Sequence, residues 1–175
     1  MRLRRAPVTA YVGLGANLGD PVATVRAAVA GLARLPGTRL RATSRLYRSA
    51  PVDAQGPDFV NAVVALDTEL TAPDLLHGLL ALEHAAGRER PWRNAPRTLD
   101  LDLLLYGDAC IDSPELTVPH ARLNGRAFVL RPLAEVAPDR VGAEALRAVH
   151  LQDCEPISSL LWWHSDRPPS HAEGR

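Results

Sequence analysis

Two aspartates one residue apart, Asp100 and Asp102, interrupt a run of leucines in the stretch APRTLDLDLLLYG (95–107). Alternate side chains of an extended strand share a face, at a rise of about 3.3 Å per residue, so the two carboxylates should point together to one side. Leu99, Leu101, Leu103 and Leu105 should point together to the other, into the core, and anchor the strand that holds the acids. Carboxylates about 6–7 Å apart at Cβ repel each other, and partial burial is costly unless something positive lies between them. Arginine and a divalent cation both fit. Carboxylates with no cysteine and few histidines nearby suit a hard ion such as Mg²⁺, which takes one or two of them and fills its shell with water and phosphate oxygens. D-x-D is a weak pattern, and a solvated strand face with ordinary salt bridges fits it as well.

The surroundings are basic. Arg88, Arg90, Arg93 and Arg97 lead directly into the acids. Guanidinium groups beside an acidic metal pair suit a polyphosphate substrate; they also serve simply to neutralise the acids. His120 and Arg126, in PHARLNGR (119–126), serve as hydrogen-bond donors to a phosphate or as plain loop structure. GLGANLG (13–19) lacks the G-x-G-x-x-G spacing of a dinucleotide fingerprint, and a P-loop needs a lysine. The chain has none: all 20 of its basic residues are arginine. That also excludes Schiff-base lysine chemistry. The glycines are better read as a tight turn from strand to helix.

These residues need a frame. VTAYVGLG (8–15) alternates as a strand; Asp20 and Pro21 then open an amphipathic helix over 21–35, carrying Val25, Val29 and Leu32 on one face. Residues 38–49 have an extended pattern. APVDAQGPD (50–58) is loop chemistry. Strand 59–70 puts Val60, Ala62, Val64 and Leu66 on one face and Phe59, Asn61, Val63 and Asp67 on the other. Thr71 and Asp74 begin a helix over 73–86 with a stripe of Leu75, Leu76, Leu79, Leu80 and Leu82, and Gly87 suits its C′ position. After the acidic strand come a long polar loop (113–126) and a short helix within 127–138. The order βαββαβ with helices packed on the strands predicts an α+β, ferredoxin-like sandwich with a mainly antiparallel sheet. One domain is expected over 1–150, and a partly loose C-terminal extension over 151–175, which Trp162 and Trp163 could dock.

Composition bounds the partners. Apolar residues make up 46% of the 175, and acidic and basic residues balance at 20 each. No global basic field draws the chain to nucleic acid or to a membrane. Cys110 and Cys154 have no CxxC spacing and suggest a reducing compartment. The N-terminus lacks the apolar core of a signal peptide, and no apolar run reaches the ~18 residues of a membrane span. A cytoplasmic monomer is expected.

Taken in order, YVGLGANLGDP, YRSAPV, FVNAVVAL, GRERPWRNAPRTLDLDLLLYG and LTVPHARLNGRAFVLRPLAEVAP resemble the 6-hydroxymethyl-7,8-dihydropterin pyrophosphokinases of the folate pathway, over roughly residues 8 to 138. The resemblance implies transfer of the β,γ-pyrophosphoryl unit of ATP to the pterin hydroxymethyl oxygen, with AMP as leaving group. It also implies two Mg²⁺ ions between Asp100, Asp102 and the ATP phosphates. It assigns phosphate binding and charge stabilisation to Arg88 and Arg97, ATP contacts to Glu83, Arg90, Leu103, Thr117, His120 and Arg126, and the pterin to Asn61, Phe59, Phe128, Ser49 and Val52. The loop 88–96 is expected to order only when both substrates are present. Many members have Trp-Gly where this chain has Asn94-Ala95, and Tyr where it has Ala121.

Overall fold

The structure, a computed structural model, describes residues 4–51, 56–87 and 99–164. Its elements are β1 (Val8–Ala16), α1 (Pro21–Ala33), β2 (Thr38–Thr43), β3 (Tyr47–Ser49), β4 (Phe59–Thr68), α2 (Ala72–Ala86), β5 (Asp100–Tyr106), β6 (Ile111–Asp112), β7 (Thr117–Val118), α3 (Ala127–Val136), α4 (Ala143–Ala148) and β8 (Cys154–Pro156). Six strands form one sheet with the path β5–β1–β4–β3–β8, and β2 also pairs with β4. All its pairings are antiparallel. Leaving β8 aside, this is the ferredoxin-like α+β sandwich.

Period-two alternation sorts the sheet into two faces. Ala10, Val12, Leu14 and Ala16 of β1 and Val60, Ala62, Val64 and Leu66 of β4 join Val25, Val29 and Leu32 of α1 and Leu75 and Leu79 of α2 in one core. On the other face, Val63, Leu104 and Leu105 join Leu130 and Leu133 of α3 in a second. That second layer leaves part of the sheet open, and the acids lie there.

Local chemistry starts and stops the helices as expected. The Asp20 carboxylate accepts from Ala23 N (3.1 Å) at the start of α1, and Thr71 Oγ1 accepts from Asp74 N (3.2 Å) at the start of α2. Two details differ. Leu80 is exposed rather than part of the α2 stripe, because it falls about 100° round the helix from Leu79. Gly87 ends α2 with φ −99°, a backbone open to any residue, so no left-handed cap forms.

The predicted strand over 38–49 is broken. Its halves, β2 and β3, run along the same edge of β4, opposite residues 64–68 and 59–61. At the break Ser44 N donates to Val63 O (2.9 Å) and Ser44 Oγ accepts from Val63 N (2.9 Å). The hydroxyl thus stands in for a main-chain acceptor. Trp162 plugs the gap: it is 6% exposed, and its Nε1 donates to Ser44 O (2.8 Å). Residues 151–164 therefore dock on the sheet, with β8 alongside β3 and Ser158 Oγ accepting from Leu46 N (2.8 Å). The tail beyond His164 lies outside the described residues.

The leucine strand carries the other correction. β5 pairs Tyr11 with Leu105 but Val12 with Leu103, so Leu104 is an extra residue in a bulge. Leu101 and Leu103 enter the core under α1 and α2, as expected, but Leu105 turns to the α3 side together with Leu104. One inserted residue reverses every side chain beyond it.

Candidate active site

The register of β1 explains how the two acids come to face open space. Asp100 lies across from Gly15, and Asp102 across from Gly13. On the other side of β1 the same glycines face Asn61 and Val63 of β4. No side chain rises from β1 at these two positions, so the rows Asp100–Gly15–Asn61 and Asp102–Gly13–Val63 enclose a trough. Gly13 and Gly15 are strand residues, as the strand expected over 8–15 has them, and the turn expected of the glycine-rich stretch needs a positive φ only at Gly19 (63°). Their spacing of two, matching that of the acids, was the signal to follow.

The trough becomes a cleft of about 210 Å³ under the start of α3. Gly13, Gly15 and Asn61 floor it, Phe59, Ser49 and Ala50 line one side, Asp100 and Asp102 the other, and Arg126, Phe128 and Val129 come from the α3 side. The bulged Leu104 closes it at Gly13, with Cδ1 3.5 Å from where a Cβ on that glycine would sit. The volume is below the ~300–1,000 Å³ of sites for drug-sized ligands; it suits one small flat molecule.

Asn61 is the polar group at the floor. It is 4% exposed, and its Nδ2 donates to Ser49 Oγ (2.8 Å). Its Oδ1 lies over Gly15, 3.2 Å from the position a Cβ would take there. An amide held in this way suits reading the edge of a heterocycle. Phe59 and Phe128 line the same cleft and supply apolar faces. The Arg126 guanidinium stands 5.4 Å from the Phe128 ring centroid, a cation–π distance.

The acids form the open side. Asp102 is exposed and Asp100 half-buried. His120 Nε2 lies 3.6 Å from Asp102 Oδ1, too far for a hydrogen bond. Its Nδ1 accepts from Arg122 N (3.2 Å), which leaves the Nε2 proton facing the acid. His120 N also donates to Leu104 O (3.0 Å), so the histidine loop is bonded to the bulge itself. Two carboxylates on one strand with no soft donor beside them fit a hard divalent cation sharing its shell with phosphate. Among the described residues no group of three or more potential metal ligands forms.

Other expected site residues fall elsewhere. Glu83, on α2, lies on the opposite face of the sheet and does not line the cleft; its Oε1 accepts from Leu101 N (2.7 Å), between the two acids. It covers a main-chain donor on the outer edge of β5, a usual need of edge strands. Leu103 is 3% exposed in the helix-side core, so only its main chain can meet a ligand. Thr117 is exposed on β7 and does not line the cleft. Arg88, Arg90, Arg93 and Arg97, the 88–96 loop with Trp92, Asn94 and Ala95, and Val52 lie outside the described residues.

The strand carrying Ser49 is firmly placed. Burial, then the Glu135 carboxylate, push the Tyr47 phenol up from its ordinary range. Burial likewise raises the Cys154 thiol, against the opposing charge of Arg131.

A family model described as 7,8-dihydro-6-hydroxymethylpterin-pyrophosphokinase (HPPK) matches residues 11–138, which include every cleft-lining residue. The chain belongs to this family. A 2-amino-4-hydroxy-6-hydroxymethyldihydropteridine pyrophosphokinase of Pseudomonas aeruginosa is 53% identical over 130 residues, covering 74% of this chain and 80% of that one. One from Methylorubrum extorquens is 48% identical over 140 residues, covering 79% and 89%. Among solved structures, Plasmodium falciparum HPPK-DHPS wild type with pterin and p-hydroxybenzoate superposes with a TM-score of 0.68 at 13% identity. That match covers 91% of this chain but 48% of the other, so this chain spans about half of that protein. At such low identity the likeness supports the fold alone. No helix among the described residues is long and apolar enough to cross a membrane.

Proposed function

We propose that this cleft is where the chain carries out the reaction of its family. The chain is a pyrophosphokinase of folate biosynthesis: it transfers pyrophosphate from ATP to 6-hydroxymethyl-7,8-dihydropterin. The hydroxymethyl oxygen attacks the β-phosphorus of ATP, the bond from that phosphorus to the bridging oxygen of the α-phosphate breaks, AMP leaves, and the hydroxyl proton passes to solvent.

The observation that carries the reading is adjacency. A slot floored by glycine and bordered by two phenylalanines lies beside a pair of carboxylates suited to a hard cation. In this reading Phe59 and Phe128 flank the pterin ring, Asn61 hydrogen-bonds its edge, and Ser49 and Val52 add main-chain contacts. Asp100 and Asp102 hold two Mg²⁺ ions, which supply charge neutralisation at the phosphates. His120 and Arg126 donate to phosphate oxygens, and Arg88, Arg90 and Arg97 add further guanidinium contacts. Thr117, the Leu103 main chain and Glu83 flank the nucleotide. We read the chain as a cytoplasmic monomer, and the cleft-lining residues described all come from one copy.

The test is to incubate the protein with ATP, Mg²⁺ and 6-hydroxymethyl-7,8-dihydropterin and to separate the nucleotides. Pterin-dependent AMP is expected. ADP, or AMP release indifferent to pterin, would overturn the reading. Light scattering after size exclusion checks the monomer.

A further inference from the structure

Arg126 begins α3 from an unusual position. It is the N-cap residue, with extended backbone (φ −130°, ψ 118°), and its side chain makes no capping bond. N-caps are usually Ser, Thr, Asp or Asn, whose oxygens accept from the first helical N–H groups. Arginine has no acceptor. The missing acceptor arrives from 25 residues downstream: Gln152 Oε1 accepts from Ala127 N (2.9 Å). The same amide donates from Nε2 to Gly125 O (3.0 Å). One primary amide thus bonds the residue before Arg126 and the residue after it.

We propose that Gln152 is a positioning residue that fixes the backbone of Arg126 and so aims its guanidinium into the cleft. This rests on the reading of Arg126 as a phosphate ligand. The two bonds require a donor and an acceptor on one planar group, so the orientation of the amide is set. Water can satisfy Ala127 N and Gly125 O separately, but it cannot hold them at a fixed separation. Gln152 is itself fixed from both sides. Its N–H donates to Val149 O (3.0 Å), at the end of α4, and two residues later Cys154 of β8 pairs with Ser49. The C-terminal segment thereby reaches both sides of the cleft, through Ser49 on one and Arg126 on the other.

Calorimetric titration of the full chain with Mg²⁺–ATP, in a double-mutant cycle, tests this. Gln152→Ala is expected to weaken binding about five-fold, the worth of an ordinary hydrogen bond. Arg126→Ala should weaken it about thirty-fold, as for bonds to a charged group. In the Arg126→Ala background, Gln152→Ala should change affinity by less than about two-fold, because its effect passes through the arginine. Gln152→Glu separates bracing from simple capping. A carboxylate still accepts from Ala127 N and favours a helix N-terminus, but it offers Gly125 O no proton, so no recovery is expected.

Equal losses in both backgrounds, or wild-type affinity in Gln152→Glu or Gln152→Ala, would overturn the proposal. The titration reads ATP binding and not turnover. A chain that binds ATP without pterin-dependent AMP would overturn the assigned reaction alone; additive losses in an active enzyme would overturn the positioning alone.

Discussion

Gly13 and Gly15 face the cleft two residues apart, yet an added methyl would meet different neighbours at each. At Gly13 it would lie 3.5 Å from Leu104, an ordinary contact; at Gly15 it would lie 3.2 Å from the Asn61 oxygen. Neither glycine needs a positive φ, so backbone strain does not enter. Gly15→Ala is therefore expected to weaken pterin binding about ten-fold or more by displacing the Asn61 amide, while leaving the urea midpoint nearly unchanged. Gly13→Ala should be milder on both counts. Pterin titration of the two variants checks this, and equal effects would deny Asn61 its role. Asp100→Ala removes half of the acidic pair, and pterin-dependent AMP formation is expected to fall by at least about a thousand-fold, on the scale of lost transition-state charge stabilisation. The acids and the shared face of Phe59 and Asn61 were legible in the sequence, because a face of a strand follows from counting by two; Phe128 came only with the family resemblance, and Arg126, at the start of a helix, had two readings until the fold placed it at the cleft. The glycines were on the expected first strand for the same reason, but that strand's neighbours, and so the trough, depend on pairings far along the chain.

Elements break that counting where the chain departs from regular geometry. The bulge at Leu104 reversed Leu105, and the gap at Ser44 split one expected strand into β2 and β3. Neither leaves a local mark, since Ser44 is satisfied by Val63 and Trp162, 19 and 118 residues away. Trp162→Ala should cost about 3–5 kcal/mol, as for other buried large-to-small changes. Trp162→Phe keeps much of the packing but leaves Ser44 O without its donor, and should cost about 1–3 kcal/mol. Urea denaturation measures both, and a Trp162→Ala variant as stable as the parent would deny the docking. A second tie joins β1, β2 and β4 at Asp67. Burial would raise its carboxyl, but hydrogen bonds from Arg39 and Thr9 and the charge of Arg41 outweigh it and hold the group below the ordinary carboxylate range. A lowered folded-state value means that the stabilisation is complete above the unfolded value, about 3.9. It is lost as pH falls through the lower, folded-state value. Asp67→Asn should cost about 1 kcal/mol at neutral pH, and the gap to the parent should close in strong acid. A gap constant with pH would mean that charge plays no part.

Over the whole molecule the two thiols report on different events. Cys110 is exposed, whereas Cys154 is buried at the start of β8 with its thiol pushed up by that burial. A thiol reagent should label Cys110 at once and Cys154 only at the rate of unfolding; fast labelling of both would mean that β8 detaches on its own. The balanced charge and the main antiparallel sheet were legible from composition and element order. The part played by residues 151–164 was not, because its meaning lies in distant partners rather than in its own pattern. Its lateness in the chain has a further consequence. A ribosome makes proteins from the N-terminus, and a nascent chain that has emerged only as far as α4 presents the outer edge of β3 bare, with Ser44 lacking its tryptophan. Bare strand edges invite association with other chains. Stalled or truncated synthesis in this short window should therefore yield aggregate rather than a weakened enzyme, since β8, which shields the sheet at β3, is translated only after α4.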